Sequence, residues 1–158
     1  MRMPWPMVWA LLVLLLAGCG DDETPEDRVR GYIERVTESA EARKWRSFDN
    51  YVADDYSDDQ GLSKKDVLGI VGRYILSHKS IHILDRVASI DIDEAGNAHA
   101  VVYAAMAGQP VHDPKDLMQL TADVYRFEIE LQAGEDGVFR TRKGDWRPVS
   151  PEQFLIGR

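Results

Sequence analysis

Strict alternation of apolar and polar side chains in the C-terminal third constrains the fold more than any other feature of the sequence. Tyr125, Phe127, Ile129 and Leu131 alternate with charged or amide side chains. Successive side chains of a strand point to opposite faces of a sheet, so this stretch predicts a strand with one buried face and one solvated face. Such strands are typical of an antiparallel sheet that is covered on one side.

The chain before this strand shows helical and then extended spacing. Thr24 and Ser63 each stand three residues before an aspartate and just ahead of an apolar pattern of helical period, which is the signature of a capping box. We therefore predict a helix of about five turns after Thr24 and a second helix ending near His78. The remaining predicted elements are a short apolar segment over 45–52, a strand from Ile81 with a bulge between Leu84 and Val87, a turn over 93–97, a strand over 98–107, a loop over 109–120, a turn over 133–137 and a strand over 138–142.

Helices followed by strands predict an α+β domain, in which N-terminal helices pack on one face of a curved antiparallel sheet. The length of 158 residues suits a single domain. Cys19 is the sole cysteine, so the core must hold without an internal disulfide.

The N-terminal segment has the parts of an export signal. Arg2 precedes an apolar run over 8–17, which is about half of the ~20 residues that a membrane-spanning helix needs. The end of this run, Leu16-Ala17-Gly18-Cys19, resembles the bacterial lipobox. We therefore predict a signal peptide over 1–18, a lipidated acidic tether over 19–25 and a domain over 26–158; the alternative for Cys19 is an ordinary thiol.

The lipobox resemblance implies that Cys19 carries a diacylglyceryl group and an amide-linked chain such as palmitate. Since one acyl chain alone binds a bilayer only marginally, two or three chains give permanent attachment. We expect a bacterial envelope protein that is anchored through Cys19 and faces the periplasm. Gly20 rather than an aspartate follows the cysteine, which by analogy with enteric bacteria favours the outer membrane over the inner membrane.

The net charge of −8 argues against nucleic acid as a partner. Lys and Arg together number 19, against 27 Asp and Glu. An acidic surface repels phosphate backbones and anionic lipid head groups. The acids directly after Gly20 keep the tether solvated.

Several short motifs together resemble the small NTF2-like domains, also called SnoaL-like or cystatin-like cones. They are the segments 29–36, 56–58, 65–78, 80–83 and 106–108, with Gly61 and Trp146. The resemblance implies a conical cavity between helices and sheet. It also implies a family that contains isomerases, dehydratases, cyclases and epoxide hydrolases, members without known activity, and many dimers.

An apolar cone can raise the pKa of a carboxyl group and pair it with a phenol or an imidazole, which would allow acid–base chemistry. Tyr32 would take a place comparable to the first-helix tyrosine of ketosteroid isomerases, although no pair of acids matches theirs. The alternatives are a core role for the tyrosines and a solvated loop for the acidic run after Asp54. The candidates expected to face the cavity are Tyr32, Asp54, Tyr56, Tyr74, His82, Tyr103, Asp123 and Tyr125.

The histidines do not form a metal-binding pattern. His78 and His82 are separated by the predicted helix end, and the expected hairpin register places His82 opposite Gly108 and His99 opposite Asp91. No tetrahedral ligand set results, and no cofactor motif is present. We predict neither a metal nor a cofactor.

A basic cluster near the last predicted strand has two interpretations. If Phe139 lies opposite Leu131, Glu130 faces Arg140 and Glu128 faces Arg142 as cross-strand ion pairs. Lys143 and Arg147 then have no cross-strand partner and are left over, so they could bind a small anion.

These observations favour a binding or accessory role, in which the domain holds a small apolar ligand or an envelope protein partner. The alternative is an enzyme of proton-transfer or hydration chemistry, which needs at least two titratable groups converging in the cavity. A third interpretation is a module that forms homodimers through its sheet.

Overall fold

The computed structural model describes residues 23–157. The predicted signal peptide and the lipidation of Cys19 lie outside the described residues. Among those described, α1 spans Pro25–Glu41, a 3-10 helix spans Trp45–Asn50 and α2 spans Lys64–Ser77. The strands are β1 His82–Ile92, β2 Ala98–Ala107, β3 Ala122–Ala133 and β4 Phe139–Pro148; a second 3-10 helix spans Pro114–Met118, and α3 spans Pro151–Ile156.

Both predicted capping boxes are confirmed. The Thr24 hydroxyl accepts from the Asp27 amide at 3.1 Å, and the Asp27 carboxylate accepts from the Thr24 amide at 3.2 Å. Ser63 and Asp66 make the same reciprocal contacts. Each box satisfies two backbone donors that the first turn would otherwise leave open, so the two helices begin where the sequence predicted.

The four strands form one antiparallel sheet in the order β1-β2-β3-β4. Helices α1 and α2 lie over its inner face, which confirms the predicted α+β architecture. The β1–β2 and β3–β4 hairpin turns each contain a glycine with positive φ, Gly96 at 82° and Gly137 at 74°, a backbone region in which glycine has no steric penalty.

Two irregularities correct the predicted register. The β1 bulge lies between Val87 and Ser89, beyond the predicted position, and it places His82 opposite Ala107 rather than Gly108. His99 lies opposite Asp91, as predicted.

A second bulge, between Glu130 and Leu131 on the β3 side, inserts Arg142 as an extra residue on β4. On the turn side of this bulge, the turn over 134–138 sets the register, and Phe139 faces Ala133 rather than Leu131. The turn and the bulge together remove the predicted ion pairs, because Arg140 lies opposite Gln132, Glu130 opposite Lys143 and Glu128 opposite Asp145.

Three of the four basic side chains of β4 instead contact acids in loops. Arg140 binds Asp136 at 2.8 Å, Arg142 lies 3.6 Å from Asp55, and Lys143 binds Asp59 at 2.9 Å. Lys143 is thus not left over for an anion, contrary to the sequence prediction.

The short elements on the outer face of the sheet were not predicted. The second 3-10 helix buries Leu117, and α3 buries Phe154 behind a capping box of Ser150 and Gln153. Both side chains pack with Tyr103 in a cluster separate from the one under α1, so the outer face of the sheet is partly covered as well.

Three apolar clusters hold the described fold. One joins α1 to the sheet around Val29, Leu131 and Phe139, one covers the outer face, and one joins the first 3-10 helix to α2 around Phe48 and Ile75. A chain that begins at Gly20 contains every element and all three clusters, and we expect it to fold without the preceding segment.

Candidate functional site

A cavity of about 330 Å³ lies between α1, α2, the first 3-10 helix and the inner face of the sheet. This volume is within the range of small-molecule sites. Ile70 of α2 lines the cavity and is also partly exposed, so the cavity reaches the surface beside α2. The apolar wall consists mainly of Ile33, Val36, Ala40, Phe48, Val67, Val71, Ile75, Ile81, Ile83, Val102, Ala104, Met106, Phe127, Ile129 and Trp146.

The strand period and small side chains explain the empty space. Val102 and Ala104 of β2 share one face with Phe127 and Ile129 of β3, because these residues pair directly or lie two apart. Ala104 reaches only a short distance from the central strand. The space above it is therefore left open instead of being filled by side chains.

Tyr32 joins α1 to β4 at the cavity wall. Its side chain is 4% exposed, its hydroxyl donates to the Tyr51 carbonyl at 2.9 Å, and the Thr141 hydroxyl lies 2.7 Å away. Burial raises the pKa of Tyr32 to about 12. The phenol therefore stays protonated and has a structural role in tying the helix to the sheet.

Two further tyrosines of the wall use their hydroxyls in the same way. The Tyr56 hydroxyl lies 3.1 Å from an Asp58 carboxylate oxygen and 3.3 Å from the Gly144 carbonyl. The Tyr74 hydroxyl donates to Asp123 at 3.1 Å. Burial first, and then the adjacent carboxylate, raises the pKa of both phenols.

Asp85 is a half-buried titratable group that sequence reasoning missed; Asp145, which is exposed, also lines the cavity and was not predicted. Asp85 lies on β1 with the parity of Ile83 and lines the cavity. The Thr37 hydroxyl donates to it at 3.5 Å. Burial raises the pKa of Asp85, and the negative charges of Glu41 and Glu34 act in the same direction. The shared parity with Ile83 was the signal that could have identified it.

The other predicted candidates divide between the cavity and the surface. Tyr125 lines the cavity, and its hydroxyl makes no hydrogen bond with another described residue. Asp123 holds the Tyr74 hydroxyl at the edge of the cavity. Asp54 is not a cavity residue: its side chain is 98% exposed and binds Lys64 at 2.8 Å, and the hydrogen bond from Lys64 lowers the pKa of Asp54.

The prediction that Tyr103 and His82 face the cavity is wrong. Tyr103 alternates with Val102 and Ala104, so its ring lies on the outer face, under the Arg86 guanidinium at 4.7 Å. His82 lies next to Ile83, which lines the cavity, and does not line it itself.

Among residues 23–157, no group of three or more His, Cys, Asp or Glu side chains is arranged to hold a metal ion. His99 contacts Glu128 at 3.1 Å, and Glu128 also accepts from Arg126 at 2.7 Å. Over the same residues, no helix combines the length and apolar character needed to cross a membrane.

No known family profile matches the sequence, and no curated protein matches it either. Solved structures do match the fold. A candidate scytalone dehydratase from Novosphingobium aromaticivorans aligns with a TM-score of 0.61 at 8% identity, over 78% of this chain and 83% of that one. An NTF2-like protein from Cytophaga hutchinsonii aligns with a TM-score of 0.59 at 10% identity, over 80% of this chain and 99% of that one.

A protein of cystatin-like fold from Caulobacter vibrioides aligns with a TM-score of 0.58 at 14% identity, over 84% of this chain and 95% of that one. At these identities the likeness defines the fold. The described domain has the α+β cone fold of NTF2-like and cystatin-like proteins, as the sequence motifs predicted.

Proposed function

We propose that this protein is a lipid-anchored protein of the bacterial envelope whose NTF2-like domain binds a small apolar ligand. The observation that carries the proposal is the cavity itself. Its wall is almost entirely aliphatic and aromatic, and the hydroxyls of Tyr32, Tyr56 and Tyr74 are already bonded within the protein. Such a cavity stabilises a ligand by burying its apolar surface, and it presents few free reactive groups.

The energetics of burial support a binding role. Removal of apolar surface from water contributes roughly 25 cal/mol per Å², so a ligand that buries ~300 Å² gains about 7 kcal/mol before the loss of its own freedom is subtracted. This balance allows binding without any charged contact.

The anchor would keep the domain close to the membrane. Helix α1 begins at Pro25, and an extended chain spans at most about 3.5 Å per residue. A tether from acylated Cys19 to Pro25 therefore reaches roughly 20 Å. In the outer membrane, which Gly20 favours, the domain would face the periplasm and sample ligands that leave the bilayer.

Asp85 favours a second candidate function, an enzyme of proton-transfer or hydration chemistry. A half-buried carboxyl group with a raised pKa can act as a general base. One structure that shares the fold is a candidate scytalone dehydratase. Under this alternative, Asp85→Asn would abolish turnover while ligand binding remains.

Native mass spectrometry of the chain from Gly20, purified from the periplasm, tests the binding role. We expect the wild type to carry a small molecule and Ala104→Phe, which fills the cavity, to carry none. Val138→Phe adds similar bulk at a partly exposed site outside the cavity and should retain the ligand.

A ligand-free wild type, or equal retention by the Ala104→Phe variant, would contradict the proposal. The same spectra report the mass of any homodimer or bound envelope protein. Either species without a cavity ligand would support the interpretations in which the domain serves as an interaction module.

A further inference from the structure

We infer that the ligand of this cavity is a cationic amphiphile, a protonated amine on a compact apolar body, with Asp85 as its counter-ion. The inference rests on the proposed binding function and names the chemistry of its ligand. It is supported by the charged and polar groups that line the cavity.

The charged residues that line the cavity are all acids. They are Asp85 and Asp145, and no Lys, Arg or His is among the described residues that form the wall. Glu41 lies close by, since its carboxylate accepts from the Ile83 amide at 2.8 Å. A cation entering this space meets attraction from the wall, whereas an anion meets repulsion.

Basic side chains near the cavity are bound elsewhere. Lys64 contacts Asp49 and Asp54 on the surface. The Arg43 guanidinium donates to the carbonyls of Lys79 and Ile75. Neither cation neutralises Asp85 within the described structure.

The neutral polar groups of the wall also favour a ligand that donates hydrogen bonds. The hydroxyl protons of Tyr32, Tyr56 and Tyr74 are directed at protein acceptors. A phenol that has donated its proton can still accept through its lone pairs. Tyr125 also lines the cavity, and its hydroxyl, which has no partner among the described residues, can accept or donate. Carboxylates and phenol lone pairs together therefore favour a head group with several donors, and an ammonium group has that character.

Asp85 itself has unused capacity. A carboxylate accepts at about four lone-pair positions, and the Thr37 hydroxyl at 3.5 Å fills one of them weakly. A charge-assisted hydrogen bond from an ammonium group is roughly twice as strong as a neutral one. The aromatic faces of the wall add cation–π attraction at short range.

Three adamantane derivatives that share one apolar body test the inference by calorimetric titration of the chain from Gly20. The probes are 1-adamantanamine, 1-adamantanol and 1-adamantanecarboxylate. At neutral pH we expect the amine to bind at least about tenfold more tightly than the alcohol and the carboxylate to bind weakest, which corresponds to about 1.4 kcal/mol or more between amine and alcohol.

Asp85→Asn should reduce the preference for the amine to within about threefold of the alcohol, because the counter-ion is lost. Asp91→Asn is the matched control. It makes the same change in net charge on the same strand but does not line this cavity, and it should keep the preference. Thermal unfolding verifies that both variants are folded.

Equal binding of the three probes would overturn the inference and leave the apolar binding function standing. An unchanged preference in Asp85→Asn would also overturn it. If no probe bound the wild type, the proposed function and the inference would both fail.

Discussion

Tyr32→Phe tests whether the Tyr32 hydroxyl stabilises the contact between α1 and β4 or serves as a reactive group. The change removes a hydroxyl that contacts the Tyr51 carbonyl at 2.9 Å and the Thr141 hydroxyl at 2.7 Å. Each hydrogen bond contributes about 0.5–1.5 kcal/mol net, so both together give about 1–3 kcal/mol. The Tyr51 carbonyl keeps a second donor, the Thr141 amide at 2.8 Å, which places the expected loss at about 1–2 kcal/mol.

Thermal unfolding of the chain from Gly20 measures this loss. For a domain of this size a change of 1 kcal/mol shifts Tm by roughly 3–5 °C, so Tyr32→Phe should lower Tm by about 3–10 °C. Tyr125→Phe is the matched control, because the Tyr125 hydroxyl has no partner among the described residues; it should stay within about 0.5 kcal/mol of the wild type. An unchanged Tm for Tyr32→Phe, or an equal decrease in Tm for Tyr125→Phe, would refute a stabilising role of the Tyr32 hydroxyl.

Three other predictions concern stability. Gly157→Ala should cost about 1–3 kcal/mol, because its Cβ would lie 2.6 Å from Tyr103 Cζ. Ser63→Ala should cost about 1 kcal/mol, because α2 loses its N-cap. Asp85→Asn should stabilise the protein at neutral pH. Burial raises the pKa of Asp85 in the folded protein above the unfolded value of about 4, so the stability of the wild type falls as the pH rises through the folded pKa. The variant has no carboxyl group at this position and lacks this loss.

Denaturant unfolding as a function of pH checks all three. Gly69→Ala is the control for Gly157→Ala: nothing lies within 4 Å of its added Cβ in α2, so it should stabilise by up to about 1 kcal/mol. Equal effects of the two alanine substitutions would contradict the close packing at Gly157. The difference in unfolding free energy between the wild type and the Asp85→Asn variant should change with pH. A difference that stays constant would contradict the burial of Asp85. An unaltered stability in Ser63→Ala would show that the cap contributes nothing.

Helix starts were predictable because local chemistry determines them. Thr24 and Ser63 each carry their capping partner three residues later, and no distant contact is needed to fix the first turn. The β3 strand was predictable for a similar reason, since one alternating stretch specifies which face is buried. Ser150 carries the same signal for α3, which sequence reasoning overlooked because the helix is short.

Strand register was less predictable. The extra residue at Arg142 follows from pairing between distant segments, and no glycine or proline at that position marks a bulge. One such residue shifts every later pair. It places Lys143 opposite Glu130, whereas Arg140 precedes the bulge and binds Asp136 in the turn.

The candidate site was predicted in part. Tyr32, Tyr56, Tyr74 and Tyr125 do line the cavity. Helix period places Tyr32 and Tyr74 there and strand parity places Tyr125, whereas Tyr56 lies in the loop before α2. Tyr103, His82 and Asp54 were selected by residue type rather than by parity, and all three lie elsewhere. Asp85 lies within the predicted bulge between Leu84 and Val87, where strand parity does not define a face; the bulge in fact lies beyond Val87, so Asp85 shares a face with Ile83.

Methyl-resolved NMR of the chain from Gly20, titrated with neutral 1-adamantanol, tests whether the cavity binds an apolar ligand. Binding in the cavity should change the shifts of cavity methyl groups such as those of Ile33, Val71 and Ala104, with no change at Leu117 of the outer cluster. Shifts confined to the outer cluster, or no shifts at saturating alcohol, would contradict a ligand-binding cavity.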